Sequence, residues 1–536
     1  MQISFCGAAQ TVTGSCYHIQ TAETQFIVDC GMYQGNKEIR SLNRQNFLFN
    51  PAEVDFVLLT HAHIDHSGLL PKLCKAGFKS RIYTTKATAD LCKIDLPDSG
   101  HIQELEAEWR NRKNERRGLA REEPIYTAAE AMACLTHFYG VNYDEIIEPA
   151  PGVKVRFRDA GHILGSALIE VWAEEAGTTT KVVFSGDLGQ KNQPIIKDPT
   201  LVQEADYLLI ESTYGNRFHE ENRDKVELLK KIILQSTGGK GNLIIPAFAV
   251  GRTQDLLYYI RELLIKGQIP RVPVYIDSPM AISATEIYRD NPGYYDEPTL
   301  EMLAGGNSPF EFPGLHFVRT AEESKALNAT AKGAIIISAS GMCEAGRILH
   351  HLKHNLWRPE SHILFVGYQA ESTLGRRLLE GAKVVKVLGE EVEVKAGIYS
   401  IGGFSAHADQ NGLIEWLQGF ERQPRGIFVV HGEIKAQTEF AGLLKRTFNA
   451  EIRIPGWGER FTLNHAAHQQ VKPKTIAASD QLAAYYALDR VVTDLEHSIL
   501  NIRNRIHKAE LDGTDREIVQ MKRLLTDLES LLKKSS

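Results

Sequence analysis

The chain contains no apolar run approaching the ~18 residues a membrane span needs. Its opening, Met1-Gln2-Ile3-Ser4-Phe5-Cys6, lacks a basic stretch ahead of an apolar one and does not read as a signal peptide. Cysteine is scarce and unpatterned. There are seven, none in a Cys-x-x-Cys pair, which points to reduced thiols and a cytoplasmic home. No internal repeat or low-complexity segment stands out. Nor is there an excess of basic charge. The net charge is −6, which weighs against nucleic-acid binding over the whole surface and still allows a local basic cleft. What is present is ordinary for a soluble globular protein: 43% hydrophobic and 24% charged residues. At 536 residues the chain is too long for one core, so two large domains and an appendage are expected.

The first 200 residues alternate short apolar strands with turns, at 24–29, 56–60, 81–84 and 181–185. Between 95 and 143 the pattern is helical and charged, most of all over 104–117, and reads as a solvated helical excursion. From about 206, strands at 207–210, 242–245, 272–276, 334–338 and 363–366 alternate with amphipathic helices such as 252–264. That cadence predicts a mostly parallel sheet covered by helices. After about 400 the short-strand style returns, with 426–431 the clearest strand, as it would if one domain were inserted into another. Beyond Pro473 two apolar seams appear, Leu488 to Ile506 and Ile518 to Leu532, separated by Gly513-Thr514-Asp515. Their spacing predicts a helical hairpin of coiled-coil type, and a stripe so regular needs a partner, so a homodimer is expected.

Three imidazoles and a carboxylate crowd into His61-Ala62-His63-Ile64-Asp65-His66, directly after a predicted strand. Burying them without a metal or hydrogen-bond partners would be costly, and imidazole with carboxylate suits zinc, manganese or iron. Two weaker elements follow in order: His162 in Asp159-Ala160-Gly161-His162, and Asp187 closing Val183-Phe184-Ser185-Gly186-Asp187. Loops with hydroxyls, exposed amides or a helix start offer phosphate contacts. These are Ser338-Ala339-Ser340-Gly341-Met342, Pro246-Ala247-Phe248-Ala249-Val250-Gly251-Arg252, and Gly367-Tyr368-Gln369-Ala370 ahead of Gly375-Arg376-Arg377. Any one alone is equally well ordinary strand–loop–helix punctuation.

Taken together, these motifs resemble the metallo-β-lactamase superfamily and, within it, the β-CASP nucleases, over roughly residues 1–465. Asp29 in Val28-Asp29-Cys30-Gly31 matches the first motif; the histidine cluster, His162 and Asp187 match the next three. Glu211 in Glu211-Ser212-Thr213-Tyr214-Gly215, His407 in Phe404-Ser405-Ala406-His407-Ala408-Asp409 and His431 in Val429-Val430-His431-Gly432-Glu433 match the three motifs specific to the nuclease branch. The resemblance implies an α/β metallo-β-lactamase sandwich of αββα layers with an inserted α/β β-CASP domain. The implied bounds are 1–205 and 401–470 for the lactamase domain, 206–400 for the insert and 474–536 for the helical hairpin.

It also implies two zinc ions per chain, with manganese as the alternative. One would take His61, His63 and His162, the other Asp65, His66 and His431, with Asp187 bridging them and a hydroxide between. Asp29 would orient a ligand from behind. Asp65, Glu211 and His407 form the implied catalytic set, with His407 protonating the leaving oxygen and Glu211 orienting it. Arg252, Ser338, Ser340, Gly341, Ser405 and Ala406 are the implied contacts to RNA phosphates.

The implied activity is hydrolysis of single-stranded RNA, by a prokaryotic relative of the pre-mRNA 3′-end cleavage endonuclease. Three other classes compete. DNA nucleases of the repair branch generally lack a histidine such as His431, and small ester or thioester hydrolases lack the inserted segment. A catalytically dead RNA-binding scaffold would be missing ligands, and none is missing here.

Overall fold

The computed structural model describes residues 1–463 except 220, 221, 239, 240, 331, 368 and 370–372. The expected helical extension at 474–536 lies outside the described residues. Among those described, no helix is long and apolar enough to cross a membrane.

Two seven-stranded sheets face each other. The first runs in the order Arg460–Thr462, Gln2–Phe5, Tyr17–Gln20, Gln25–Val28, Phe56–Leu58, Arg81–Thr85, Phe138–Val141. The second runs Glu451–Arg453, Gly426–Val429, Tyr207–Ile210, Thr178–Phe184, Ala167–Glu175, Val153–Asp159, Ile146–Ala150. Alternation along each strand sends one set of side chains between the sheets: Phe5, Phe26, Val28, Phe56 and Leu58 meet Phe157, Ile169, Val182, Phe184, Leu209 and Phe428. The opposite set packs under helices. Val183, Leu208, Ile210 and Val429 lie against Trp416 and Phe440 on the helices Gln410–Leu417 and Ile434–Thr447.

A third sheet of six strands comes wholly from residues 243–400, in the order Leu315–Phe317, Val274–Ile276, Ile335–Ser338, Leu243–Pro246, His362–Phe365, Gly397–Ser400. Every pairing in it is parallel. Ile244 and Ile336 face one helical layer while Ile245 and Ile337 face the other, as a parallel sheet covered on both sides requires.

One stretch departs from the sequence expectation. The segment 95–143, read as a solvated excursion, opens on the later part of a single helix, Lys86–Glu115, which starts earlier because the Thr85 side chain caps it by accepting from the Thr88 amide. Leu91, Cys92, Leu96, Gln103 and Ala107 are buried, and this face packs on the helices Ala128–Cys134 and Pro279–Asp290. The polar face seen in the sequence is real, but it is the back of a helix that helps carry the third sheet's helical layer.

The parallel strands of both seven-stranded sheets end at one edge, where open α/β sheets place ligands. Backbone bonds seal that edge: Cys30 N donates to His66 O (2.8 Å), Met32 N to Ile64 O (2.8 Å) and Ser15 N to Asp65 O (2.9 Å). Gly31 lies inside this cradle, where a Cβ would stand 1.7 Å from Asp65 O. Gly31→Ala is therefore expected to lower the melting temperature by an amount equivalent to about 1–3 kcal/mol or more. Gly442→Ala, on a helix where the added carbon meets only Arg446 Nη1 at 3.8 Å, should leave it unchanged or raise it. Equal melting temperatures for the two variants would refute the cradle.

Candidate metal centre and cleft

Five of the chemistry-bearing residues follow closely on the end of a strand. Asp29 follows Gln25–Val28, and His61 lies three residues beyond Phe56–Leu58. Asp187 lies three beyond Thr178–Phe184, Glu211 directly follows Tyr207–Ile210, and His431 lies two beyond Gly426–Val429. Asp65 and His66 belong to a one-turn helix, Ile64–Ser67, that starts after His63, rather than to a simple loop. His431 has left-handed backbone (φ 48°), pinned by its amide donating to Ala8 O (2.9 Å) and its carbonyl accepting from Ser212 N (3.0 Å). Such a conformation in a bulky residue persists only where surrounding structure fixes it.

Two groups of donor atoms converge. In the first, His63 Nδ1 lies 3.1 Å from His61 Nε2 and 3.2 Å from His162 Nε2, and Asp187 Oδ2 is 3.4 and 3.6 Å from those two Nε2 atoms. In the second, His66 Nε2 lies 3.1 Å from His431 Nε2 and 3.2 Å from Asp187 Oδ1. His431 Nε2 lies 3.5 Å from both Asp187 Oδ1 and Asp65 Oδ2. Nitrogen and oxygen ligands about 2.0–2.1 Å from a tetrahedral zinc would be spaced roughly 3.3–3.4 Å apart, so both groups have the size of a metal cage. Asp187 serves both, one oxygen to each. Its Oδ1 is buried without a hydrogen-bond partner among the described residues. The donor set fits a metal cofactor.

Second nitrogens fix the rings. His66 Nδ1 meets Asp29 Oδ2 at 2.7 Å, and Asp29 also accepts from the Thr60 amide (2.8 Å) and hydroxyl (2.9 Å). His61 Nδ1 meets Thr60 Oγ1 at 3.0 Å, and His431 Nδ1 meets Thr213 Oγ1 at 3.1 Å. The sequence alone does not mark these roles for Thr60, which precedes His61, or for Thr213, which lies within the Glu211-Ser212-Thr213-Tyr214-Gly215 motif. His407 Nδ1 lies 3.1 and 3.3 Å from the two Glu211 oxygens, which also accept from the Leu188 and Thr213 amides. These contacts leave His407 Nε2 as the atom free to work. Its backbone is tied to Asp187's neighbours: Ala408 N donates to Leu188 O (2.7 Å) and Gln190 N to Ala406 O (3.1 Å).

The phosphate candidates are less exposed than their motifs imply. Arg252 is 7% exposed and pairs with Asp255 at 3.1 Å. Ser338 donates its hydroxyl to Asp277 O (2.7 Å), and Ser340 Oγ accepts from the Glu344 and Ala345 amides. These groups shape the loops behind the cleft surface. Gly341 packs on Phe248, while the carbonyls of Ser405 and Ala406 accept from the Gln190 side chain and amide. Tyr368 and Ala370 lie outside the described residues.

Charge follows burial and neighbours. Burial, aided by His66, pushes His61 down to about 3, and burial pushes His63 down to about 4. Burial opposes charge on His407 as well, but Glu211 and then Asp187 outweigh it and raise its pKa to about 9. In metal-free protein, imidazole NMR should therefore show His61 and His63 neutral down to roughly pH 4 while His407 stays protonated up to about pH 9. All three titrating together near the ordinary histidine value would contradict this arrangement.

Comparison with known proteins agrees with this geometry. Residues 10–123 match the metallo-beta-lactamase superfamily, 253–378 the Beta-Casp domain and 391–455 the Zn-dependent metallo-hydrolase RNA specificity domain. Ribonuclease TTHA0252 of Thermus thermophilus is 38% identical over 460 residues, spanning 86% of this chain and 99% of its own. An RNase J-like protein of Methanocaldococcus jannaschii is 32% identical, over 84% of this chain and 97% of its own. Transcription termination factor FttA of the same organism is 29% identical, over 85% and 70%.

Proposed function

The chain belongs to the β-CASP family of the metallo-β-lactamase superfamily, and from that premise we propose that it is a metal-dependent ribonuclease. It hydrolyses phosphodiester bonds of single-stranded RNA, endonucleolytically, leaving 5′-phosphate and 3′-hydroxyl ends. The observation that carries this reading is Asp187, which divides its two oxygens between two donor cages beside a His–Glu pair. His61, His63 and His162 would hold one cation, and Asp65, His66 and His431 the other, with Asp187 shared. Zinc is the first choice and manganese the alternative. Bound there, two cations would lower the pKa of a water and offset charge on the phosphoryl oxygens.

The chain's own residues do the rest. Asp29 and Thr60 hold the His66 and His61 rings so that Nε2 faces inward. Glu211 engages His407 Nδ1 and keeps the imidazole protonated, so Nε2 delivers a proton to the departing 3′ oxygen. The 2′-hydroxyl takes no part, so the chemistry does not forbid DNA. RNA preference is supported by the names of the relatives, which include a ribonuclease and an RNase J-like protein. A homodimer assembled through the tail belongs to the same reading, and its seam residues lie outside the described structure.

Elemental analysis of protein purified without chelator should find about two metal ions per chain. His407→Ala should keep them and slow cleavage by about 10²–10⁴-fold, whereas Asp187→Ala should lose metal and activity together. Loss of metal from His407→Ala to the same extent would make His407 a ligand, a role open to it because its Nδ1 lies 3.9 Å from Asp187 Oδ2.

Substrate and mechanism are tested with matched, internally labelled single-stranded RNA and DNA. Cleavage of the RNA to 5′-phosphate ends is expected. Cyclic 2′,3′-phosphate products would refute the mechanism, and faster DNA cleavage would refute the substrate.

A further inference from the structure

Three neighbouring parallel strands, Leu243–Pro246, Ile335–Ser338 and His362–Phe365, release their loops at the same edge of the six-stranded sheet. In the first of these loops Phe248 is 43% exposed. A single exposed apolar side chain is ordinary, but this one is carried unusually. A Cβ on Gly341 would meet its ring atoms Cδ2 and Cε2 at 3.0 and 3.1 Å, and one on Gly367 would touch Cε2 at 3.8 Å. The ring therefore rests on bare backbone supplied by the other two loops. Its own loop is tied down: Thr253 Oγ1 donates to Phe248 O (2.8 Å) and Gln254 Nε2 to Ala249 O (3.1 Å).

The platform also has a fixed place relative to the donor cages. Three residues on, at Gly251, an added Cβ would stand 3.0 Å from Ile163, the residue after His162. The next residue, Arg252, places its guanidinium 5.9 Å from the Phe404 ring, which leads into Ser405 and His407. Phe248 is thus within about 11 Å of chain from Gly251, the residue that meets the His162 loop.

We propose that Phe248 is a stacking platform for a nucleobase of the single strand, adjoining the phosphodiester that is cut. This rests on the ribonuclease reading. The ligand is any of the four bases, because stacking uses the π-face that all share, and no hydrogen-bonding group of Phe248 distinguishes them.

The test uses a single-stranded RNA cut at one position, and the same RNA with one abasic nucleotide stepped along it. Both affinity, by fluorescence anisotropy, and cleavage are measured for wild type, Phe248→Ala, Phe248→Leu and Phe248→Trp. Phe248→Ala should lose on the order of 5- to 150-fold in kcat/KM, mainly through KM. Phe248→Leu, apolar but without a π-face, should match it, and Phe248→Trp should restore wild-type behaviour. One abasic position should cost the wild type the same factor and cost Phe248→Ala nothing further. Wild-type behaviour from Phe248→Leu, or no abasic position that distinguishes wild type from Phe248→Ala, would overturn the platform. Base-dependent affinity without cleavage would overturn the ribonuclease reading and leave the platform standing, and neither affinity nor cleavage would overturn both.

Discussion

Two unprotonated imidazole nitrogens repel each other, and the centre of this molecule holds His61 against His63 and His66 against His431, both at 3.1 Å. A proton or a cation must sit between such pairs. Burial keeps both His61 and His63 neutral well below the usual histidine range, so without metal the first pair has only the N–H of one neutral ring to bridge it, and a bound cation would take that proton's place. For the second pair burial also works against charge, yet Asp187 and Asp29 raise His66 well above its ordinary value, so without metal that ring takes a proton. The fold pays for this crowding with the threonine hydroxyls and the Asp29 carboxylate, which engage the outer nitrogens. Rings tethered in this way cannot turn aside to relieve the repulsion.

Asp187 transmits that constraint outward. The residues after it, Leu188 to Gln190, pair with Ser405 to Ala408, so the shared carboxylate and the imidazole of His407 ride on bonded backbone. Glu211 ties the same two segments, accepting from the Leu188 amide while engaging His407. His407, the proposed proton donor, and the donor cages are therefore fixed relative to each other before any substrate arrives, the preorganisation from which electrostatic catalysis draws most of its effect. The helix Pro279–Asp290 joins this frame through its Tyr288 hydroxyl, which accepts from the Leu164 amide at 3.3 Å.

Much of this was legible in the chain because a strand that ends in a polar residue announces itself: an apolar run, then His61, Asp187, Glu211 or His431. Strand positions and the parallel character of the third sheet followed from the same alternation. Less legible were features that depend on what lies opposite. Thr60 and Thr213 look like any threonine until the fold sets them 3.0–3.1 Å from imidazole nitrogens. Ser338 and Ser340 read as phosphate-binding hydroxyls, yet Ser338 donates to the Asp277 carbonyl and Ser340 accepts two loop amides. The start of the helix Lys86–Glu115 was obscured because its buried face mixes Cys92, Ser99, Gly100 and Gln103 with its leucines, which blurs the apolar period.

The same burial bears on how an acidic chain can hold a polyanion. Arg252 and Lys225 stand behind the loop that carries His407. Lys225 donates to the Gly403 carbonyl at 3.2 Å, and its Nζ lies 5.2 Å from the Phe404 ring. Neither touches solvent appreciably, and Asp255 offsets one of their charges. Burial also lowers Lys225 to about 8, so the second charge weakens as pH rises above neutrality. These cations shape the loop and contribute a field at a distance, but they cannot grip phosphates. On a chain of net charge −6, binding must then come from groups that meet the strand directly. Cations in the proposed donor cages would be one such group, and the exposed Phe248 ring proposed to stack on a base would be another. Recognition of this kind is short-ranged, and its steepest dependence falls on the nucleotides beside the scissile bond.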